Sequence, residues 1–198
     1  MIEKPFSQAC ENNKRPILDV LQRHWSQPGR ILEIGSGTGQ HAVYFAAHLP
    51  HLQWQTSDLS QNHSGIKAWM ADYPGENLLP PLVLDVNSGP WPHDPVDGVF
   101  TANTLHICAW PEVQRMFAGV SACLRSGGKF IVYGPFNFNG QFTSDSNRAF
   151  DQHLRAAAAH RAIRDFEAVR ELADSQHMRF LEDNALPANN RCLVFVRR

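Results

Sequence analysis

The stretch RILEIGSGTG at residues 30–39 predicts a strand, a tight turn and the start of a helix. An apolar run carries an acidic residue near its end, and three glycines follow at every second position. Glycine adopts backbone angles closed to other residues and lets a ligand lie against the main chain. The helix pattern that follows offers free N–H groups and the positive end of a dipole. The segment therefore suits a nucleotide-like ligand at the carboxyl end of the first strand of an α/β sheet.

A second acidic residue ends the next apolar run. Asp58 follows the run at 52–57, and its distance from the glycines, roughly 20 residues, is typical of an acid that binds ribose. A carboxylate there can accept hydrogen bonds from both ribose hydroxyls, which suits a nucleoside. The alternative is that Asp58 caps the following helix, with Ser60 as a competing cap.

The glycine spacing departs from the dinucleotide pattern Gly-x-Gly-x-x-Gly, whose third glycine would stand where this chain has Gln40. Gly35, Gly37 and Gly39, preceded by Glu33, resemble motif I of the class I S-adenosylmethionine-dependent methyltransferases. The resemblance implies S-adenosylmethionine as the cofactor, with the turn around its methionine part. It disfavours a nicotinamide-dependent oxidoreductase. An ordinary strand–helix turn is the alternative for the glycines taken alone.

Two later strands extend the resemblance. Asp85 and Val86 follow the apolar segment at 82–84, where these methyltransferases place an acid against the adenine amino group. Asn103 follows the fourth strand, where the resemblance puts it beside the methionine end of the cofactor. Asp85 would otherwise only initiate a turn. The implied cofactor contacts are Glu33, Gly35, Ser36, Gly37, Gly39, Asp58, Leu59, Asp85, Val86 and Asn103.

A closer resemblance lies outside these motifs. The segments 10–18, 39–46 and 142–147 are similar to the small methyltransferase-like 26 family. That family has the class I methyltransferase fold and no settled substrate. The resemblance therefore implies the cofactor and the fold but not the methyl acceptor.

Strand and helix patterns alternate along the whole chain, with short turns rich in Gly, Pro and Asn. This alternation predicts a doubly wound, mainly parallel α/β sheet with helices on both faces. The resemblance implies seven strands, the C-terminal one antiparallel. The strands are expected at 30–34, 52–57, 81–84, 97–101, 128–134, 178–183 and 191–197. The helices are expected at 14–25, 40–48, 62–72, 111–123, 144–159 and 165–175.

Composition indicates an ordinary globular chain, with 43% hydrophobic and 19% charged residues. Its length predicts one domain over residues 1–198. The net charge of −1, without a basic block, gives a nucleic-acid partner no electrostatic support. No apolar run suits a membrane span or a signal peptide, which favours a cytoplasmic location without a membrane partner. The scattered cysteines are expected to be reduced, and no histidine spacing predicts a metal site.

Two histidines are candidates for a catalytic base. Methyl transfer depends mainly on alignment, and a base is needed only when the acceptor is a hydroxyl or a protonated amine. His106, shortly after Asn103, is the first candidate, and His41, in the first turn of the second helix, is the other. His106 could instead be a structural group that hydrogen-bonds between the fourth strand and its helix. The Asn-x-Leu-His sequence at 103–106 resembles methyltransferases that act on small molecules.

The region after the fifth strand is the predicted acceptor-binding region. Its aromatic and amide side chains at 135–147 are of the kind that bind a small organic molecule. Phe138 and Asp145 are the residues expected to contact the substrate; the alternative is a surface loop pinned by its phenylalanines. Residues 12–15 would either cover the cofactor as a lid or begin a helix. The predicted function is a small-molecule methyltransferase, and the alternative is a non-catalytic, cofactor-binding regulatory module.

Overall fold

A computed structural model describes residues 4–198 as one mixed sheet with helices on both faces, which confirms the predicted fold class. The strands are β1 (Gly29–Ile34), β2 (Leu52–Asp58), β3 (Leu78–Val83), β4 (Val96–Ala102), β5 (Leu124–Asn137), β6 (Arg164–Asp165), β7 (Met178–Leu186) and β8 (Asn190–Arg197). The helices are α1 (Gln8–His24), α2 (Gln40–His48), α3 (His63–Met70), α4 (Trp110–Cys123), α5 (Asp145–Ala157) and α6 (Phe166–Ser175). Among these residues, no helix has both the length and the apolar character that a bilayer span requires.

The strands lie in the order β3-β2-β1-β4-β5-β8-β7, and the short β6 pairs with β5 beside this path. Strands β1 to β5 pair in parallel, whereas β8 is antiparallel to both of its neighbours, as predicted. The sheet has one strand more than the seven expected, and the additional strand is β6. Its two paired residues are too few to give an apolar pattern in the sequence. The strand order reverses between β1 and β4, and the carboxyl ends of strands at such a reversal open a ligand crevice.

A separate apolar cluster covers each face of the sheet. Under α1 and α2, the ring of Phe45 lies 5.4 Å from Trp54 and 5.5 Å from Phe100, measured between centroids. Under α4 and α6, the ring of Phe117 lies 5.1 Å from Phe130. Because the central strands are buried on both sides, their sequences are nearly continuous apolar runs.

Helix α1 begins at Gln8, earlier than the predicted start at 14. Ser7 caps the helix, since its Oγ accepts a hydrogen bond from the N–H of Cys10 at 3.4 Å. Residues 12–15 therefore lie within helix α1, which favours the helical alternative over a lid. Both cations of this segment are engaged on the helix surface: Lys14 pairs with Glu11 and Arg15 pairs with Asp19.

Candidate active site

Left-handed backbone shapes the glycine turn between β1 and α2. The φ angles are +70° at Gly35, +57° at Gly37 and +89° at Gly39, a region that favours glycine. A Cβ added to Gly37 would meet only the Gly35 carbonyl oxygen, at 4.0 Å. A Cβ added to Gly39 would lie 3.0 Å from the Cα of Ile66 in α3. Gly37 therefore leaves open space for a ligand, whereas Gly39 permits close packing of a helix.

Asp58 ties the end of β2 to this turn. Its Oδ2 accepts the N–H of Gly37 at 2.7 Å. Its Oδ1 accepts the N–H of Leu59 and the side-chain amide of Asn62, both at 2.7 Å. A carboxylate has about four acceptor positions, so one position stays available for a ligand hydroxyl. Asp58 is the N-cap of neither following helical segment, since those caps are Leu59 and Asn62.

A cleft of about 480 Å³ opens at the carboxyl ends of β1, β2 and β4, and we call it the first cleft. Its volume is within the roughly 300–1,000 Å³ of small-molecule sites. Most of the predicted cofactor residues line it: Gly35, Gly37, Asp58, Leu59, Asp85, Val86 and Asn103. Three others do not line it; Glu33, Ser36 and Gly39 are buried behind the turn and support it instead.

The first cleft is acidic and partly apolar. The carboxylates of Asp58, Asp85 and Glu112 line it without a lysine or arginine among the described residues. Leu59 is 39% exposed and Ile107 is 42% exposed in the same lining, which offers apolar surface to a flat ring. Hydroxyl and amino groups and a positively charged sulfur suit this lining, whereas a pyrophosphate would find no cationic partner. The described lining therefore fits a ligand with hydroxyl, amino and cationic groups better than one with a pyrophosphate.

Glu33 lies fully buried beneath the glycine turn. Its Oε2 accepts the hydroxyl of Ser36 at 2.9 Å and the indole N–H of Trp54 at 3.1 Å. Burial raises the pKa of this carboxyl to about 7, although the two donors lower the pKa and offset part of the effect. Glu33 therefore joins the turn to β2 and takes up a proton near neutral pH.

Glu33→Gln should make the stability of the fold less dependent on pH. The folded-state pKa of about 7 exceeds the ordinary value of 4.5. The stability from this group is therefore fully present below pH 4.5 and is lost as pH rises through about 7. Glutamine removes this titration, so we expect it to raise the free energy of unfolding at pH 8 by up to about 3 kcal/mol. Denaturant unfolding at pH 5 and pH 8 measures this.

The matched control is Glu76→Gln, which removes a carboxylate from an exposed position. The free energy of unfolding of this variant should change between pH 5 and pH 8 by the same amount as that of the wild type. If Glu33→Gln and the wild type had the same free energy of unfolding at both pH values, the raised pKa of Glu33 would be contradicted.

A second cleft, of about 560 Å³, adjoins the first at the end of β4. It is bounded by α1, the end of β5, α5 and the β7–β8 turn. Asn103 lines both clefts. Its backbone is left-handed, with φ 58°, and its N–H donates to the carbonyl of Tyr133 at 2.9 Å. Asparagine tolerates this conformation better than most residues, so the backbone fixes this side chain at the junction of the clefts.

His106 lines the second cleft and is 7% exposed. Its ring stands edge-on to Phe150, with centroids 5.3 Å apart, and forms no side-chain hydrogen bond with the described residues. Arg164 holds this loop, since its guanidinium donates to the carbonyls of Leu105 and Cys108. Burial, with the nearby charges of Arg164 and Arg161, lowers the pKa of His106 to about 4. The imidazole is therefore neutral at physiological pH.

His41, the other predicted base, lines neither cleft. Its Nε2 lies 2.6 Å from Oδ1 of Asn13, and its ring stacks on Phe45 with centroids 5.2 Å apart. Burial lowers its pKa to about 4. The sequence could not distinguish a cleft histidine from one held between helices, and the contacts of His41 favour a positioning role.

Neither predicted substrate residue lines the second cleft. Phe138 stacks on Phe166 at 5.2 Å and packs against the core. Asp145 is exposed at the start of α5. The same region contributes Asn147 and Phe150 instead, which share a helix face at i and i+3. Their spacing of three residues in a predicted helix was the sequence signal that could have indicated these two cleft residues.

The model of a family described as "Protein of unknown function (DUF938)" matches residues 4–197. Among solved structures, the chain is similar to an O-methyltransferase family protein from Burkholderia thailandensis, with TM-score 0.80 and 13% identity over 96% of this chain. It is also similar to human N-acetylserotonin methyltransferase in complex with SAM, with TM-score 0.81 and 15% identity over 96% of this chain. A third is an O-methyltransferase family 2 protein from Planctomyces limnophilus in complex with apigenin, with TM-score 0.77 and 14% identity over 94% of this chain.

These likenesses concern the fold. The chain covers 57%, 53% and 62% of the lengths of those three proteins, respectively.

Proposed function

We propose, from the premise that the chain belongs to the DUF938 family and has a methyltransferase fold, that it transfers a methyl group from S-adenosylmethionine to a small molecule. The observation that carries the proposal is that Asn103 lines both clefts. Two ligands that react with each other need adjoining sites. The similarity of three segments to the methyltransferase-like 26 family supports the same cofactor.

The residues of the first cleft have distinct roles toward the cofactor. The open acceptor position of Asp58 binds a ribose hydroxyl, and Asp85 with the N–H of Val86 binds the adenine edge. Leu59 and Ile107 cover the faces of that ring. S-adenosylmethionine supplies a methyl group that its positively charged sulfur has already activated.

The second cleft receives the acceptor, and His106 is the base. For a hydroxyl acceptor, a ring nitrogen of His106 would take the hydroxyl proton. The cofactor would supply the methyl group, whose bond to sulfur breaks as the bond to the acceptor oxygen forms, and would leave as the demethylated thioether. A neutral imidazole is required for that step, and the lowered pKa keeps it neutral. Asn103 orients the acceptor toward the first cleft.

We also infer a cytoplasmic location and a small-molecule acceptor in place of a nucleic acid or a membrane. The four cysteines are free thiols, which suits a reducing compartment. The net charge of −1 gives no attraction to a polyanion.

Binding of the cofactor is tested by thermal unfolding. S-adenosylmethionine or its demethylated product, at about 100 times its dissociation constant, should stabilise the fold by about 2.7 kcal/mol. For a chain of this size the melting temperature should rise by roughly 5–10 °C. NAD should give no shift, and a shift with NAD alone would contradict the proposal.

Catalysis needs a separate experiment, because a non-catalytic module would also bind the cofactor. The protein is incubated with methyl-labelled S-adenosylmethionine and a fractionated metabolite extract. Label in a protein-dependent product supports transfer. A normal thermal shift without any labelled product in any fraction would favour the regulatory module.

A further inference from the structure

The second cleft differs from the first in its charge. Its described lining has no aspartate, glutamate, lysine or arginine, and amide side chains provide most of its polar groups. A charged ligand group buried there would lose its hydration without gaining an ionic partner, which is costly. The lining therefore selects against ions.

The amides on the α1 side present hydrogen-bond donors. Oδ1 of Asn12 accepts from Gln8 at 2.9 Å, and Oδ1 of Asn13 faces Nε2 of His41 at 2.6 Å. Both carbonyl oxygens are engaged, and Asn13 also hydrogen-bonds the side chain of Tyr133. The amide group of Asn12 and the second N–H of Asn13 remain for a ligand. His41 thereby fixes the orientation of the Asn13 amide.

The amides on the opposite side present acceptors. Asn147 is 5% exposed, and its Nδ2 donates to Thr143 at 2.9 Å and to the carbonyl of Asn189 at 3.3 Å. Both amide hydrogens are therefore used, and Oδ1 accepts no hydrogen bond from the described residues. Asn190 donates to the carbonyl of Pro187 at 3.3 Å, and its own Oδ1 accepts no hydrogen bond from the described residues.

Aromatic rings line the space between the two sets of amides. Phe150 is 37% exposed in the cleft, Tyr133 lies at its base and His106 stands edge-on to Phe150. Edge and face contacts of this kind suit a flat ring.

The geometry points to an uncharged, ring-bearing acceptor that has a carbonyl or ring nitrogen at its α1 end and a hydroxyl or N–H group at its α5 end. This inference rests on the proposed function, because it assigns the second cleft to the methyl acceptor. It deepens that function by naming the substrate class: neutral phenols and hydroxylated heterocycles or amides.

Three probes of nearly equal shape test the inference: para-hydroxybenzamide, para-hydroxybenzoate and para-hydroxybenzylamine. Calorimetry measures their dissociation constants on the full chain, with and without the demethylated cofactor product. The neutral amide should bind at least tenfold more tightly than the carboxylate and the ammonium probe. Equal binding, a preference for either ion, or no binding of any probe at millimolar concentration would overturn the inference.

Asn190→Asp places one carboxylate in the second cleft while keeping the shape of the side chain. It should improve the dissociation constant of the benzylamine relative to the benzamide by at least tenfold. Asn139→Asp makes the same change on an exposed loop outside both clefts and should leave the ranking as in the wild type. An unchanged ranking in Asn190→Asp would count against the cleft as the binding site.

The two proposals fail in distinguishable ways. The probes report on the second cleft even when the cofactor is absent. A neutral preference without any response to S-adenosylmethionine would uphold the cleft and reject methyl transfer. A labelled methyl product together with an ionic preference of the second cleft would uphold methyl transfer and reject the inference about the acceptor.

Discussion

Gly37→Val should weaken the binding of S-adenosylmethionine at least about hundredfold, which corresponds to about 2.7 kcal/mol. The added side chain would occupy the open space of the first cleft, where a Cβ now meets only the Gly35 carbonyl. It would also disturb the N–H that Asp58 binds at 2.7 Å. Calorimetry with the demethylated product on a folded variant measures the loss.

Backbone strain alone must be separated from loss of the site. At φ +57° a side chain costs about 1–2 kcal/mol of stability. Gly127→Val is the matched control, because Gly127 has φ +75°, has open space around its Cβ position and lines neither cleft. It should lower stability similarly and bind the cofactor normally. A folded Gly37→Val that binds with unchanged affinity would reject the turn as the cofactor site.

His106→Ala should lower kcat by roughly 100-fold or more with a hydroxyl acceptor. His106→Phe keeps an aromatic ring against Phe150 but removes the nitrogen that takes the proton. If His106 is the base, both variants lose turnover, although the phenylalanine variant should be the more stable. If the ring only packs, the phenylalanine variant should retain its activity. Melting temperature and kcat are measured on the same preparations.

The pH dependence gives an independent test of His106. Its pKa of about 4 keeps the base unprotonated from pH 8 down to pH 5, so kcat should stay level over that range. The folded pKa of His106 lies below the ordinary 6.5, so the contribution of this group to stability is lost as pH falls from 6.5 toward 4. A rate that falls through pH 6.5 in a stable protein would identify another group as the base.

The glycine turn and its surroundings were predictable because local chemistry determines them. Helix α2 occupies the predicted 40–48, since left-handed Gly39 and the following apolar face define its start. Strand β3 begins at Leu78, three residues before the predicted start at 81, and contains both Pro80 and Pro81. Within residues 4–198 this strand lies at the sheet edge and pairs with β2 alone, and proline is tolerated at such an edge.

The acceptor side could not be derived in the same way. It is assembled from α1, β5, α5 and the β7–β8 turn, which are far apart in the sequence. No local sequence motif marks Asn13 or Asn147. Whether each side chain offers a ligand a donor or an acceptor depends on which of its amide atoms is already hydrogen-bonded within the fold. The aromatic and amide composition of its loop made Phe138 a candidate for substrate contact. Its ring instead stacks on Phe166, with centroids 5.2 Å apart, and packs against the core.

Asn103 has a consequence for the energetics of the ternary complex. A ligand in either cleft contacts the same side chain, whose backbone is fixed at φ 58°. Any rotation that one ligand imposes on this amide changes the affinity for the other ligand. The change must be the same factor in both directions, because the free energy of the doubly occupied state does not depend on the order of arrival. Cooperativity between cofactor and acceptor is therefore expected to depend on this one amide.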